Sequence, residues 1–172
     1  MTENQPSVTA VALKYGLITA LVGIVYSLVL NVLDLATNQW LTSLSYLILI
    51  AGLVLAMKDF KANNYGYMSY GQGLGVGSLL SAIFGLLSGI FSWIYTTYID
   101  PEFMARMQEV QRTKMLEQGL SDEQIDTALG MAEKFQNPIT MIFGSMAVFL
   151  IIGFILSLII AAIIKNKRPE FE

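Results

Sequence analysis

The residue types that most often do chemistry are thin in this chain. It has no cysteine and no histidine. That removes thiol nucleophiles, disulfides, zinc or haem sites built on those ligands, and every triad that relies on an imidazole. Acids and amides remain. Asn31 and Asp34 stand at the end of the first apolar segment and could hold a cation or polar ligand at its mouth. Their ordinary roles would be an interhelical hydrogen bond for Asn31 and a solvated helix end for Asp34. Gln72, set between Gly71 and Gly73, could contact a ligand or lipid headgroup, or satisfy backbone groups at a helix entrance. Gly71-x-Gly73-x-Gly75 is no nucleotide loop, because no lysine follows it and no strand precedes it. Asp122, Glu123 and Asp126 could be taken for a metal or glycosidase cluster, yet they fall at a helix start, where acids are ordinary. Met104, Met107, Met115 and Met131 suit packing or an adaptable docking surface better than copper. No catalytic residue, metal ligand or cofactor is expected, and the chain reads as a non-enzyme.

The elements that would position these residues are apolar and long. With 55% hydrophobic residues in 172 and a mean hydropathy of +0.59, the natural class is a single integral membrane domain covering residues 1–172. The organising stretch is Leu74 to Ile99, which carries no charged side chain and would reach roughly 39 Å as a helix. Gly73, Gly77, Ser81, Gly85 and Gly89 recur through it at intervals of four. Such residues share one face, and a face without bulk lets another backbone come close, which holds helices together in lipid. Successive rungs turn about 40° past a full circle, so the ladder winds round the helix and two neighbours could share it.

Three further spans are expected at about 15–33, 40–57 and 138–164. Pro6-Ser7 marks a helix start, Lys14 and Asp34 bound the first span, and Lys58, Asp59 and Lys61 stop the second. The polar Met1–Ser7 lacks a basic cluster, so the first span should stay as an anchor. Trp93, Tyr95 and Tyr98 read as an aromatic belt closing the third. Between spans three and four, residues 100–137 read as an amphipathic helical hairpin. Asp100 and Pro101 would open its first helix, Gly119 would end it, and a Ser121-x-x-Gln124 capping box would open the second. The expected fold is all-α, a four-span polytopic membrane protein with that hairpin inserted.

Four spans put both termini and the second link on one side, with Lys14, Lys58, Lys61, Lys165, Lys167 and Arg168. Positive-inside logic makes that side cytoplasmic and the acid-rich hairpin extracytoplasmic. No Asp, Glu, Lys or Arg lies within a span away from its ends, which argues against a coupled transporter.

The order of several motifs resembles a known family. GYMSYGQ (Gly66 to Gln72) enters the glycine-rich span, IDP (Ile99 to Pro101) follows it, and EQGLSDEQID (Glu117 to Asp126) comes later. The order is similar to the bacterial membrane family called domain of unknown function 4199, over nearly the whole chain. The resemblance implies a four-span bacterial inner-membrane protein with this hairpin, and it supplies no activity and no catalytic residues. The expected role is a non-enzymatic scaffold or accessory subunit that binds through the third span and the hairpin. A small-molecule or lipid transporter is the alternative. The expected partners are the lipid bilayer and a protein or second copy of the chain, with no nucleic acid.

Overall fold

The computed structural model describes residues 6–167, and among them the chain forms helices and no strand. In order they are α1 (Val8–Val32), α2 (Gln39–Asn63), α3 (Tyr70–Ile94), a π-helical turn (Tyr95–Ile99), α4 (Phe103–Glu117), α5 (Asp122–Glu133) and α6 (Pro138–Ile164). Four are long and apolar enough to cross a membrane: α1, α2, α3 with its π turn, and α6. The protein is an all-α polytopic membrane protein. Arg168 and residues 1–5, which entered the orientation and anchor arguments, lie outside the described residues.

The helices outrun the apolar segments that announce them. Helix α1 begins at Val8, with Ser7 Oγ accepting from the Ala10 amide at 3.4 Å, so Lys14 lies inside it. Helix α2 continues past Lys58, Asp59 and Lys61 to Asn63. Helix α3 starts at Tyr70, four residues before the apolar run, because Ser69 and Gln72 form a capping box. Charge ends the stretch that suits hydrocarbon, while the helix runs on until a cap or a left-handed residue stops it.

Two of those stops have the same construction. After α1, the Asp34 amide donates to Asn31 O at 3.1 Å and the Leu35 amide to Leu30 O at 2.8 Å, with Asp34 at φ 54. After α4, the Gly119 and Leu120 amides donate to Leu116 O and Met115 O, with Gly119 at φ 81. A left-handed residue lets the chain turn back onto the last carbonyls, and glycine or aspartate tolerates that conformation. Asp100 does not cap α4. That helix starts at Phe103 after a turn through Pro101 and Glu102, and the Asp100 carboxylate is engaged by Arg106 instead.

Helix α3 is the centre of the bundle, and α6 runs antiparallel along its small-residue ladder. A Cβ added to Gly73 would stand 2.7 Å from that of Ala161, and one added to Gly77 would stand 2.7 Å from that of Ser157. Gly153 lies under Ser81 in the same register. Further along, Gly85 faces Met146 Cα at 2.8 Å and Gly89 faces Ile142 Cα at 2.8 Å. All five rungs are buried. Helix α6 follows the whole ladder with its own small residues, and at Gly77 Met57 of α2 also comes within 3.1 Å of an added Cβ. Ser145 Oγ adds a hydrogen bond across this seam to Gly85 O, at 2.9 Å.

On its other side α3 meets α1, where Ile83 covers Gly16 and Phe84 covers Gly23. Helices α1 and α2 approach at Thr19 and Gly52, whose added Cβ would lie 2.7 Å from Thr19 Cγ2. Leu49, Leu53, Met57 and Phe60 of α2 fill the core with Val76 and Leu80 of α3. Polar contacts tie one end of the bundle together. Lys14 pairs with Asp59 at 3.2 Å, Lys61 Nζ donates to Ile164 O at 2.9 Å, and the Met68 and Asn166 backbones exchange two hydrogen bonds. Helices α4 and α5 leave from the opposite end.

Candidate functional site

The packed core does not extend to the α4 end. There the spans part around a crevice of about 310 Å³. Its apolar walls include Ile24, Phe84, Phe91 and Phe149, with Phe84 and Phe149 meeting edge to face at 4.8 Å. Its polar lining comes from every span: Ser27 and Asn31 of α1, Ser45 of α2, Ser88 and Ser92 of α3, Ser145 of α6. Hydroxyls within a membrane helix usually bond back to a carbonyl of the preceding turn. Thr96 does so, to Ser92 O at 2.9 Å. Among the described residues, the side chains of Ser27, Asn31, Ser45, Ser88 and Ser92 make no hydrogen bond.

The π turn shapes the roof. A π turn spends an extra residue per turn, and such insertions re-aim side chains, often at functional sites. Tyr95, at its start, still follows the α-helical register of Ser88 and Ser92, with its amide donating to Phe91 O, and so enters the crevice at 5% exposure, while Tyr98 within the turn is 71% exposed. Tyr95 therefore leaves the aromatic belt expected of it and packs edge-on against Phe103 at 5.6 Å. Its hydroxyl lies 3.5 Å from Asp100 Oδ2. Arg106 grips both oxygens of Asp100, with Nη1 donating to Oδ1 at 3.2 Å and Nη2 to Oδ2. These bonds hold the Asp100 carboxyl below the usual carboxylate range and raise the Arg106 guanidinium further. The π turn, Asp100 and the first turn of α4 thus form one linked cover. A second hollow on its outer side is lined by Asn31, Asp34, Phe103 and Arg106.

Of the residues singled out in the sequence, the structure brings Asn31 and Asp34 to this end. Asn31 borders both hollows and makes no interhelical hydrogen bond among the described residues. Asp34 is exposed and shapes the α1 exit. Gln72 sits at the opposite end, its Oε1 accepting from the Ser69 amide at 2.8 Å. Gly73, Gly77, Ser81, Gly85 and Gly89 face α6. Asp122 and Asp126 both bind Arg112, at 3.3 and 2.9 Å, which joins α5 to α4. Ser27, Ser45, Ser88 and Ser92 were not singled out. Their signal was available only jointly, as hydroxyls clustered towards the same ends of three spans.

The sequence profile of the family described as "Protein of unknown function (DUF4199)" matches residues 14–166. The chain belongs to that family. The matched range begins within α1 and takes in the other three spans, the π turn and both short helices. No curated protein and no solved structure matches the chain.

Proposed function

We propose that this DUF4199 protein works by binding and does not catalyse. It is a scaffold or accessory subunit of the bacterial inner membrane, and its docking arm is the α4–α5 segment. One observation carries the reading. Helix α4 buries no residue and α5 buries only Ile125, while Leu116, Met131 and Phe135 are 49%, 59% and 63% exposed. An amphipathic helix pair with so little cover of its own needs an external surface for its apolar side chains.

Charge selects among the surfaces. Acids outnumber bases across residues 100–137, so anionic lipid headgroups would repel the arm. Lys14, Lys58, Lys61, Lys165 and Lys167 lie at the other end of the bundle, where a parallel second copy could not offer them to the arm. A different protein with a basic rim and an apolar centre fits best. The small-residue ladder is already covered by α6, so the partner need not enter the bundle. By the positive-inside rule, the lysine-rich end and both termini lie in the cytoplasm and the arm lies outside.

Purification of the tagged full-length chain from its native membrane in gentle detergent tests this. A single protein should co-purify stoichiometrically, and Met131→Asp with Phe135→Asp should release it while the spans melt unchanged. Purified protein in liposomes should show no ion flux and no lipid turnover. Retention of the partner by the double variant, or robust transport by the protein alone, would contradict the proposal. The hydroxyl-lined crevice favours a second role, binding of a lipid or small molecule.

A further inference from the structure

We propose that the crevice at the α4 end holds the head of an uncharged, hydroxyl-bearing lipid, of which a diacylglycerol is the simplest. The inference is independent of the docking arm and rests on the unpartnered polar groups inside the spans. Ser27, Ser45, Ser88 and Ser92 offer donors and acceptors with no protein partner among the described residues, and Asn31 adds an amide at the rim. These side chains are half-buried, and polar groups that face a crevice between membrane helices normally find a partner there. Their convergence on one crevice from three helices implies a polar occupant.

The same residues define its charge. No acidic or basic side chain lines the crevice. The nearest ion pair, Asp100 with Arg106, is bidentate and mutually satisfied. A phosphate or carboxylate head would be buried without a cation, and an ammonium head without an anion, each at heavy cost. Hydroxyls and ester carbonyls instead exchange neutral hydrogen bonds with serine. The walls supply the other half of an amphiphile's needs, since Ile24, Phe84 and Phe149 offer an apolar bed for the first methylenes of an acyl chain. The volume, about 310 Å³, is at the small end of ligand sites and suits a glycerol-sized head rather than a sugar chain. The polar lining lies towards the α4 ends of α1, α2 and α3.

Photolabelling of the full-length protein in phosphatidylcholine nanodiscs tests the assignment. One arm carries a diacylglycerol with a photoreactive acyl chain, the other a phosphatidic acid with the same chains, so the probes differ only by the phosphate. The diacylglycerol should label α3 or α6 beside the crevice at least fivefold more than the phosphatidic acid. Ser88→Ala with Ser92→Ala should lower that labelling about tenfold, as expected for losing two neutral hydrogen bonds. Leu79→Phe, on the exposed face of α3, should leave it unchanged. Thermal melting identifies any variant that fails to fold, and Ser45→Ala on α2 then replaces it with the same expectation of reduced labelling. Equal labelling by the two probes, labelling insensitive to the serines, or adducts spread over the outer faces would overturn the proposal. A crevice that holds only water gives that last pattern.

Discussion

Alanine at Gly85 is the sharpest perturbation the fold offers. Its methyl group would meet Met146 Cα and Ser145 O, each at 2.8 Å. Both are main-chain atoms, which cannot rotate aside as a side chain can. Bringing carbon atoms to a normal 3.5–4.0 Å requires α3 and α6 to part by roughly 0.7–1.2 Å. A gap of that size forfeits about a quarter to a half of the dispersion energy of each affected contact. Overpacking of this kind costs about 1–3 kcal/mol. For a chain of this size that lowers the melting temperature by about 2–12 °C. Gly77→Ala meets Ser157, so pairing it with Ser157→Gly should recover most of the loss. Gly71 and Gly130 have nothing within 4 Å of an added Cβ, and alanine there should cost nothing. Differential scanning fluorimetry of Trp40 and Trp93 in detergent reads all of these variants. A Gly85→Ala protein that melts with Gly71→Ala would refute the claim that α6 lies on the ladder.

Other outcomes follow from the same contacts. Asp100 titrates below its ordinary value because Arg106 hydrogen-bonds its carboxylate. The folded protein therefore holds that proton less tightly than the unfolded chain, and the pairing contributes fully above the ordinary carboxylate range. The contribution fades as pH falls below about 4 and is gone below the folded value. Hydrogen exchange at the start of α4 should accelerate over that window in the wild type, and Arg106→Gln should show fast exchange at every pH. Ser69→Ala removes the hydroxyl that accepts from the Gln72 amide at 3.2 Å and should cost about 1 kcal/mol, read as a lower melting temperature. Gln72→Ala should act the same way, and an unchanged melt for both would mean the capping box contributes nothing. A single cysteine at Leu120 should react with an impermeant thiol reagent in intact spheroplasts, and one at Lys167 only after lysis. The reverse pattern would invert the orientation.

Much of this architecture was legible because its causes are local. Four apolar runs of spanning length, the Ser121-x-x-Gln124 box and Gly119 after α4 each act within a few residues, and composition and spacing expose them. The helix ends at Val8 and Asn63, beyond Lys14 and Lys61, were less legible, since hydropathy reports where lipid ends and not where hydrogen bonding ends. The cover of the ladder required knowing that α6 matches it with Gly153, Ser157 and Ala161 in antiparallel register. Both rows could be read singly, but their pairing is a tertiary fact. The crevice was the least legible feature. Single serines in apolar helices carry no signal, and the π turn has no simple sequence mark. Asn31 was marked by its chemistry, and its unpartnered amide emerges only when α2, α3 and α4 are in place.

The claim most open to direct contradiction is that the partner sits on the α4–α5 arm and not on the bundle. A photoreactive amino acid placed at Phe135 in living cells tests it against the same probe at Leu79, which is exposed on α3. The account predicts a protein adduct of one defined mass from Phe135 and only lipid adducts from Leu79. A protein adduct from Leu79 with none from Phe135 would place the partner on the spans and contradict it.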